Sequence, residues 1–289
     1  MSVAARRDRG AGVHPATRRR LMQALALTVA LIVGATILVP LFYVVLGGFR
    51  TTGQLAAQPV ALPQPWIIHN YTDILVSATF WHNIANSSFI AVVATLLVVG
   101  SGALAAYPLA RFEFPGRGAL YGLFVFGLLF PAGAAALPIY LMLRQLNLLD
   151  QLLGVALPEA AFGLPLTIVI LRPFIRSIPA ELEDAAVIDG CGRFGFFWRI
   201  LLPLSGPALA TVAIITFIAS WNAYQLPYLV LTDSSGFTLP LGVANYASQY
   251  TQDTARILAF TALSMVPALA FFVLAERRIV GGLSGAVRG

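Results

Sequence analysis

The sequence predicts an all-α polytopic membrane protein with six transmembrane helices and a helical cytoplasmic loop between the fourth and fifth. Three observations predict it. The 289-residue chain is 58% hydrophobic and 10% charged, whereas a soluble domain carries about 25% charged residues. Six stretches approach or exceed the ~20 apolar residues that a hydrocarbon core demands of a helix. Finally, the basic residues segregate by side. All 18 are Arg, and placing the N-terminus in the cytoplasm leaves only Arg50, Arg144 and Arg256 outside. That is the bias of cytoplasmic loops toward positive charge, so the net charge of +6 reports topology rather than a nucleic-acid partner.

The elements follow in order. Residues 1–20 form a basic cytoplasmic segment with Arg6, Arg7, Arg9, Arg18, Arg19 and Arg20. The uncharged run 21–49 is too long for the 7–15-residue apolar region of a signal peptide and reads as an anchor. An external segment with Pro59, Pro63 and Pro65 leads to Trp66, Tyr71 and Trp81, ring types that favour the membrane interface. The uncharged run 74–110 is expected to hold its span in the second half, after Asn86-Ser87-Ser88. A tight cytoplasmic turn at 111–118 precedes a span over 119–143. A short external loop then precedes a fourth span over 151–171, whose only acid is Glu159. The cytoplasmic segment 172–203 is long and mixed in charge. A fifth span falls within 200–232 and a sixth within 257–275, so the membrane domain covers 21–275. Residues 276–289 form a cytoplasmic tail.

Absences narrow the function. Without Lys there is no P-loop, hence no ATP bound in the Walker manner, and no Schiff base. The single Cys191 forms no internal disulfide and reads as a reduced structural thiol. His69 and His82 lack a third ligand at useful spacing and fit interfacial packing. No catalytic group, metal site or bound cofactor is expected.

The segment 179–203 carries the functional signal. Pro179 and the acids Glu181, Glu183 and Asp184 suit a helix N-terminus. Leu182, Ala185, Ala186 and Asp189 recur at the spacing of one helical face. Gly190 can adopt φ > 0 and end the helix sharply. A second, more apolar helix runs from Arg193 toward Pro203. A small-residue face beside a turn suits close docking of another protein.

This stretch resembles the EAA loop of binding-protein-dependent ABC importer permeases. The matching positions are Ala185, Ala186, Asp189, Gly190, Phe197, Ile200, Leu202 and Pro203, with Asp184 standing where the pattern has Glu. The wider chain resembles the carbohydrate-uptake branch, specifically the second membrane subunit of maltose-type importers. Asn70-Tyr71, Asn86-Ser87, 105–111, Phe114-Pro115-Gly116, Trp221-Asn222 and the tail carry that likeness. The resemblance implies a heterodimer with a second permease subunit, two ATP-binding cassette subunits holding ATP and Mg, and an external sugar-binding protein. It implies a bacterial inner-membrane location with both termini cytoplasmic. It also implies that Asp184, with or without Glu183, pairs with a basic residue of the ATPase.

For the solute path, Trp221, Asn222, Tyr224 and Gln225 form a polar-aromatic cluster in an apolar span. Aromatic faces stack on sugar rings and amides serve hydroxyls, although interhelical hydrogen bonding would use the same groups. Glu159 is either functional, as intramembrane carboxylates tend to be, or a carboxylate near a helix N-terminus. The absence of Arg from the span interiors favours a neutral solute. The alternatives are a permease for a non-sugar solute, or an ion-coupled secondary transporter, which would want intramembrane acids and broken helices.

Overall fold

The computed structural model describes residues 15–247 and 252–286, with side chains at 19, 22–247 and 252–271. Residues 1–14 of the basic segment and 287–289 of the tail lie outside the described residues. The elements are helical: α1 (Pro15–Gly47), α2 (Thr52–Ala57), α3 (His69–Val76), α4 (Ala78–Arg111), α5 (Arg117–Gly127), α6 (Ala136–Gln145) and α7 (Leu152–Ser177). Then come α8 (Glu181–Ile188), α9 (Arg193–Phe196), α10 (Leu202–Leu204), α11 (Gly206–Trp221), α12 (Gln225–Val230), α13 (Leu239–Gly242) and α14 (Thr254–Ala286). Among the described residues, four helices are long and apolar enough to cross a membrane, and two bent pairs bring the number to six if each pair is one crossing.

The differences from expectation are physical. Helix α4 begins at Ala78, capped by the Ser77 hydroxyl, so the polar Asn86-Ser87-Ser88 lies inside it. Asn86 and Ser87 are satisfied across the fold, and Ser88 Oγ donates to the Ile84 carbonyl of its own helix at 2.8 Å. The Asn86 amide donates to the Ser235 and Phe237 carbonyls at 2.9 and 3.1 Å, and Ser87 Oγ accepts from Leu239 N at 2.8 Å. The third crossing is not continuous: α5 and α6 meet at 93°, with Pro131 and a 3₁₀ turn (Ala132–Ala135) between them. The fifth bends by 74° between α10 and α11 and breaks again at 222–224. The last helix continues through Ala286 and so includes Gly281, Gly282 and Gly285, residues that disfavour a helix. A helix already nucleated in the membrane propagates at little cost.

The core is built on α4 against α7 and α11. Gly163 lets α7 approach α4 closely, since a Cβ there would stand 2.8 Å from a Val98 methyl. Helix α1 touches the rest chiefly at its C-terminal end and leaves its apolar surface exposed. Two of the three arginines expected outside are held within the fold. Arg50 is 3% exposed and donates to the carbonyls of Gln54 (2.8 Å), Pro59 (3.0 Å) and Gln58, folding the proline-rich segment around itself. Arg256 lies between Asp73 (3.2 Å) and Asp253 (3.6 Å). His82 contacts the Ala78 carbonyl of its own helix at 2.9 Å.

Candidate functional site

Two regions hold the residues singled out in the sequence: a helical elbow after α7, and a cavity flanked by the breaks in the third and fifth crossings.

The elbow is α8, a turn, α9 and the π-turn Phe197–Leu201. Three acids sit in the first turn of α8, where the helix dipole favours negative charge. Gly190 adopts φ +77°, and Cys191 N closes the turn on the Ala186 carbonyl at 2.8 Å. The π-turn lies just upstream of Pro203, whose missing N–H cannot serve the preceding turn of an α-helix.

The expected common face of α8 divides in the fold. Ala186 is buried, whereas Leu182, Ala185 and Asp189 are exposed. Ala186 packs into a cluster with Tyr107, Ile178, Phe196, Phe197 and Leu201. Burial of each Phe ring contributes ~2 kcal/mol, which roots the elbow on the ends of α4 and α7. Glu183 turns inward, with Oε2 3.9 Å from Arg111 Nε. Arg111 also donates to the Ile178 carbonyl at 2.6 Å, and the Arg193 guanidinium lies 4.7 Å over the Phe112 ring. Asp184 points to solvent. The exposed tip thus offers Asp184, Ala185, Val187, Ile188, Asp189 and Phe194. Phe197 belongs to the buried root and Pro203 is exposed on α10. The inward partners Tyr107 and Arg111 lie in the 105–111 stretch that carries the family likeness, but nothing local in the sequence says that they face the elbow.

The second region separates residues expected together. Trp221 is 6% exposed and stacks on Phe217 at 5.7 Å in an apolar cluster with Ile74, Phe80 and Phe260. Asn222 donates to the Ile218 carbonyl at 2.8 Å, capping its own helix. Together they line a cavity of about 330 Å³ toward α1 and α14. Tyr224 and Gln225 line a different cavity, of about 370 Å³, with Glu159, Phe162, Thr216 and Ser220. Tyr224 stacks on Tyr228 at 5.7 Å, and the Gln225 amide lies against Gly133 in the break of the third crossing. Ser220 Oγ donates to Glu159 Oε2, tying α11 to α7. Ser220, adjacent to Trp221 in sequence, is the functional candidate that periodicity does not single out. Among the described residues, no group of three His, Cys, Asp or Glu side chains could hold a metal ion.

A model of the inner membrane component of binding-protein-dependent transport systems matches residues 99–279, which span the cavity and the elbow. The chain belongs to that family. This permease component is 37% identical over 250 residues to a diacetylchitobiose uptake system permease protein of Streptomyces coelicolor, covering 86% of this chain and 83% of that one. It is 36% identical over 231 residues to a trehalose transport system permease protein of Mycobacterium tuberculosis, covering 79% and 84%. Its fold matches a chain in the crystal structure of a bacterial ABC transporter involved in alginate import, with a TM-score of 0.76 and 23% identity, covering 89% and 96%. A membrane permease of the ABC importer type is therefore what the elbow and the cavity belong to.

Proposed function

We propose that this component is the transmembrane subunit of an ATP-driven carbohydrate importer. It forms half of the translocation pathway beside a second permease subunit. It couples through the elbow to two ATP-binding cassette subunits, which hold ATP and Mg, and an external sugar-binding protein delivers the solute. In this reading it sits in the bacterial inner membrane with both termini cytoplasmic. The observation that carries the reading is the elbow: a rooted, apolar base with a small, acidic and exposed tip fits a contact that must transmit force to another protein. The saccharides named for the two similar permeases support a sugar as the solute, and the family description supports dependence on a binding protein. Without a Lys, the chain has no P-loop of its own.

The cavity bounded by Glu159, Ser220, Tyr224 and Gln225 is the proposed pathway surface. It offers aromatic faces, an amide and a carboxylate, the groups that rings and hydroxyls require. Trp221 and Asn222 serve packing and capping instead. Broken spans beside a buried acid also occur in ion-coupled carriers, but such a carrier has no use for a protruding elbow. The test is purification of the tagged chain from its native membrane, followed by uptake in vesicles. Two cassette subunits should co-purify, and uptake should require ATP together with the saccharide-loaded binding protein. Uptake driven by an ion gradient with no ATPase present would refute the reading.

A further inference from the structure

The cavity beside α7 has one acidic side chain on its wall. Of its lining residues, Glu159 alone is ionisable at neutral pH, and the wall is otherwise apolar apart from Thr216, Ser220, Tyr224 and Gln225. Ser220 satisfies only Glu159 Oε2, leaving Oε1 without a hydrogen-bond partner. That oxygen is itself buried, but the side chain lines the cavity, so the carboxylate acts on a solute there by its field rather than through that atom. We infer that Glu159 is a charge filter, admitting neutral, hydroxyl-rich or cationic solutes through this cavity and opposing anionic ones such as uronate sugars. The inference rests on the cavity being part of the solute path.

The balance of charges supports the sign. Helix α6 presents its N-terminus to the same wall at Ala136, and a helix N-terminus is worth about half a positive charge. An ionised carboxylate outweighs it. The C-terminal end of α11 at Ala219 and Ser220 adds partial negative charge on the same side as Glu159. Arg side chains, which an anionic solute would need, are absent from the lining. A unit charge several ångströms from a solute, at an effective dielectric between water and protein interior, discriminates on the order of tenfold between opposite charges. The Ser220 bond fixes the carboxylate at the wall, so the discrimination belongs to a defined place on the path.

The test uses the assembled importer with Cys191→Ser and a reporter thiol, Ala219→Cys, which is exposed on the cavity wall. Labelling rates are compared for a cationic and an anionic methanethiosulfonate of similar size, each normalised to its rate with a free thiol. The ratio cancels the reactivity of the thiol itself. We expect the cationic reagent to label on the order of tenfold faster, the preference to fall toward unity with Glu159→Gln, and to weaken without vanishing with Ser220→Ala, which leaves the carboxyl group but removes the bond that holds it at the wall. Co-purification of the partner chains with each variant certifies assembly. Labelling by the neutral methyl reagent should also block transport. A ratio unchanged by Glu159→Gln overturns the filter while a transport block preserves the pathway. Labelling that leaves transport intact overturns the pathway and the filter's role with it, and a thiol that none of the reagents reaches overturns both.

Discussion

Asp184 stands in solvent beside Glu183, whose carboxylate faces Arg111 across 3.9 Å. The pair divides two tasks, one structural and one available to a partner. Asp184→Lys should therefore weaken ATPase association in co-purification while the melting temperature holds within a degree or two. Glu183→Ala should do the converse, lowering stability by ~1–2 kcal/mol because it leaves a largely buried guanidinium without its carboxylate. Equal loss of association without destabilisation in both variants would show that the acids act together. Asp150 offers a second residue-scale test. Its carboxylate accepts from Thr232 N (2.6 Å), Thr232 Oγ1 (2.8 Å) and Asp233 N (3.1 Å), and the Thr232 bonds hold its pKa below the ordinary value. A depressed pKa means that this tether is fully present above the unfolded pKa of about 4 and is lost as pH falls through the folded value. Amide exchange at Thr232 and Asp233, corrected for its intrinsic pH dependence, should lose protection only in that acid range. It should be fast at every pH in Asp150→Ala.

At the scale of elements, the turn joining α8 to α9 depends on Gly190 at φ +77°. A β-branched side chain there meets its own backbone, at a cost of roughly 1–2 kcal/mol. Gly190→Val should misdirect the tip without loosening the buried root, because Phe196 and Phe197 pack independently of the turn. The expected result is normal insertion, with uptake and ATPase stimulation reduced several-fold. Wild-type transport in this variant would remove the elbow from the coupling step. Gly190 was legible in the sequence because one residue type at a helix end reports a backbone angle. The breaks in the third and fifth crossings were not, because apolar runs read alike whether the helix is straight or broken. Pro131 and Pro203 were the available signals, and prolines within α4 and α7 leave those helices continuous.

For the whole molecule, the arginine distribution expects the elbow and both termini on the cytoplasmic side. Single thiols placed at Asp189 and in the loop 146–151, with Cys191 replaced by Ser, should label from opposite faces of intact cells and inverted vesicles. Labelling of position 189 from outside would reverse the topology. The end of the chain supplies the other test. Helix α14 runs through Ala286, so the glycine-rich segment continues a membrane helix toward the proposed ATPase face. Deleting residues 281–289 should leave insertion intact and lower transport or uncouple ATP hydrolysis, as read by the ratio of solute taken up to phosphate released. An unchanged ratio and rate would mark the end as dispensable.

The class of fold, the apolar runs of the crossings and the elbow were legible in the sequence alone, since each follows from a local rule: apolar length against bilayer thickness, and turn residues against backbone angle. The sequence also marked Glu159, because a carboxylate in an apolar run is conspicuous without neighbours. What only the tertiary structure decided is which side chains share a space. Trp221 and Asn222 face one cavity and Tyr224 and Gln225 another, because the helix ends at Trp221 and the chain turns before α12. Ser220 and Glu159 meet although 61 residues separate them, and Glu183 turns inward only because α4 ends in Arg111 beneath it. Periodicity assigns a residue to a face of its own helix. The partner on that face is fixed by the crossing and breaking of other helices, and those arise from long-range packing that local sequence does not encode.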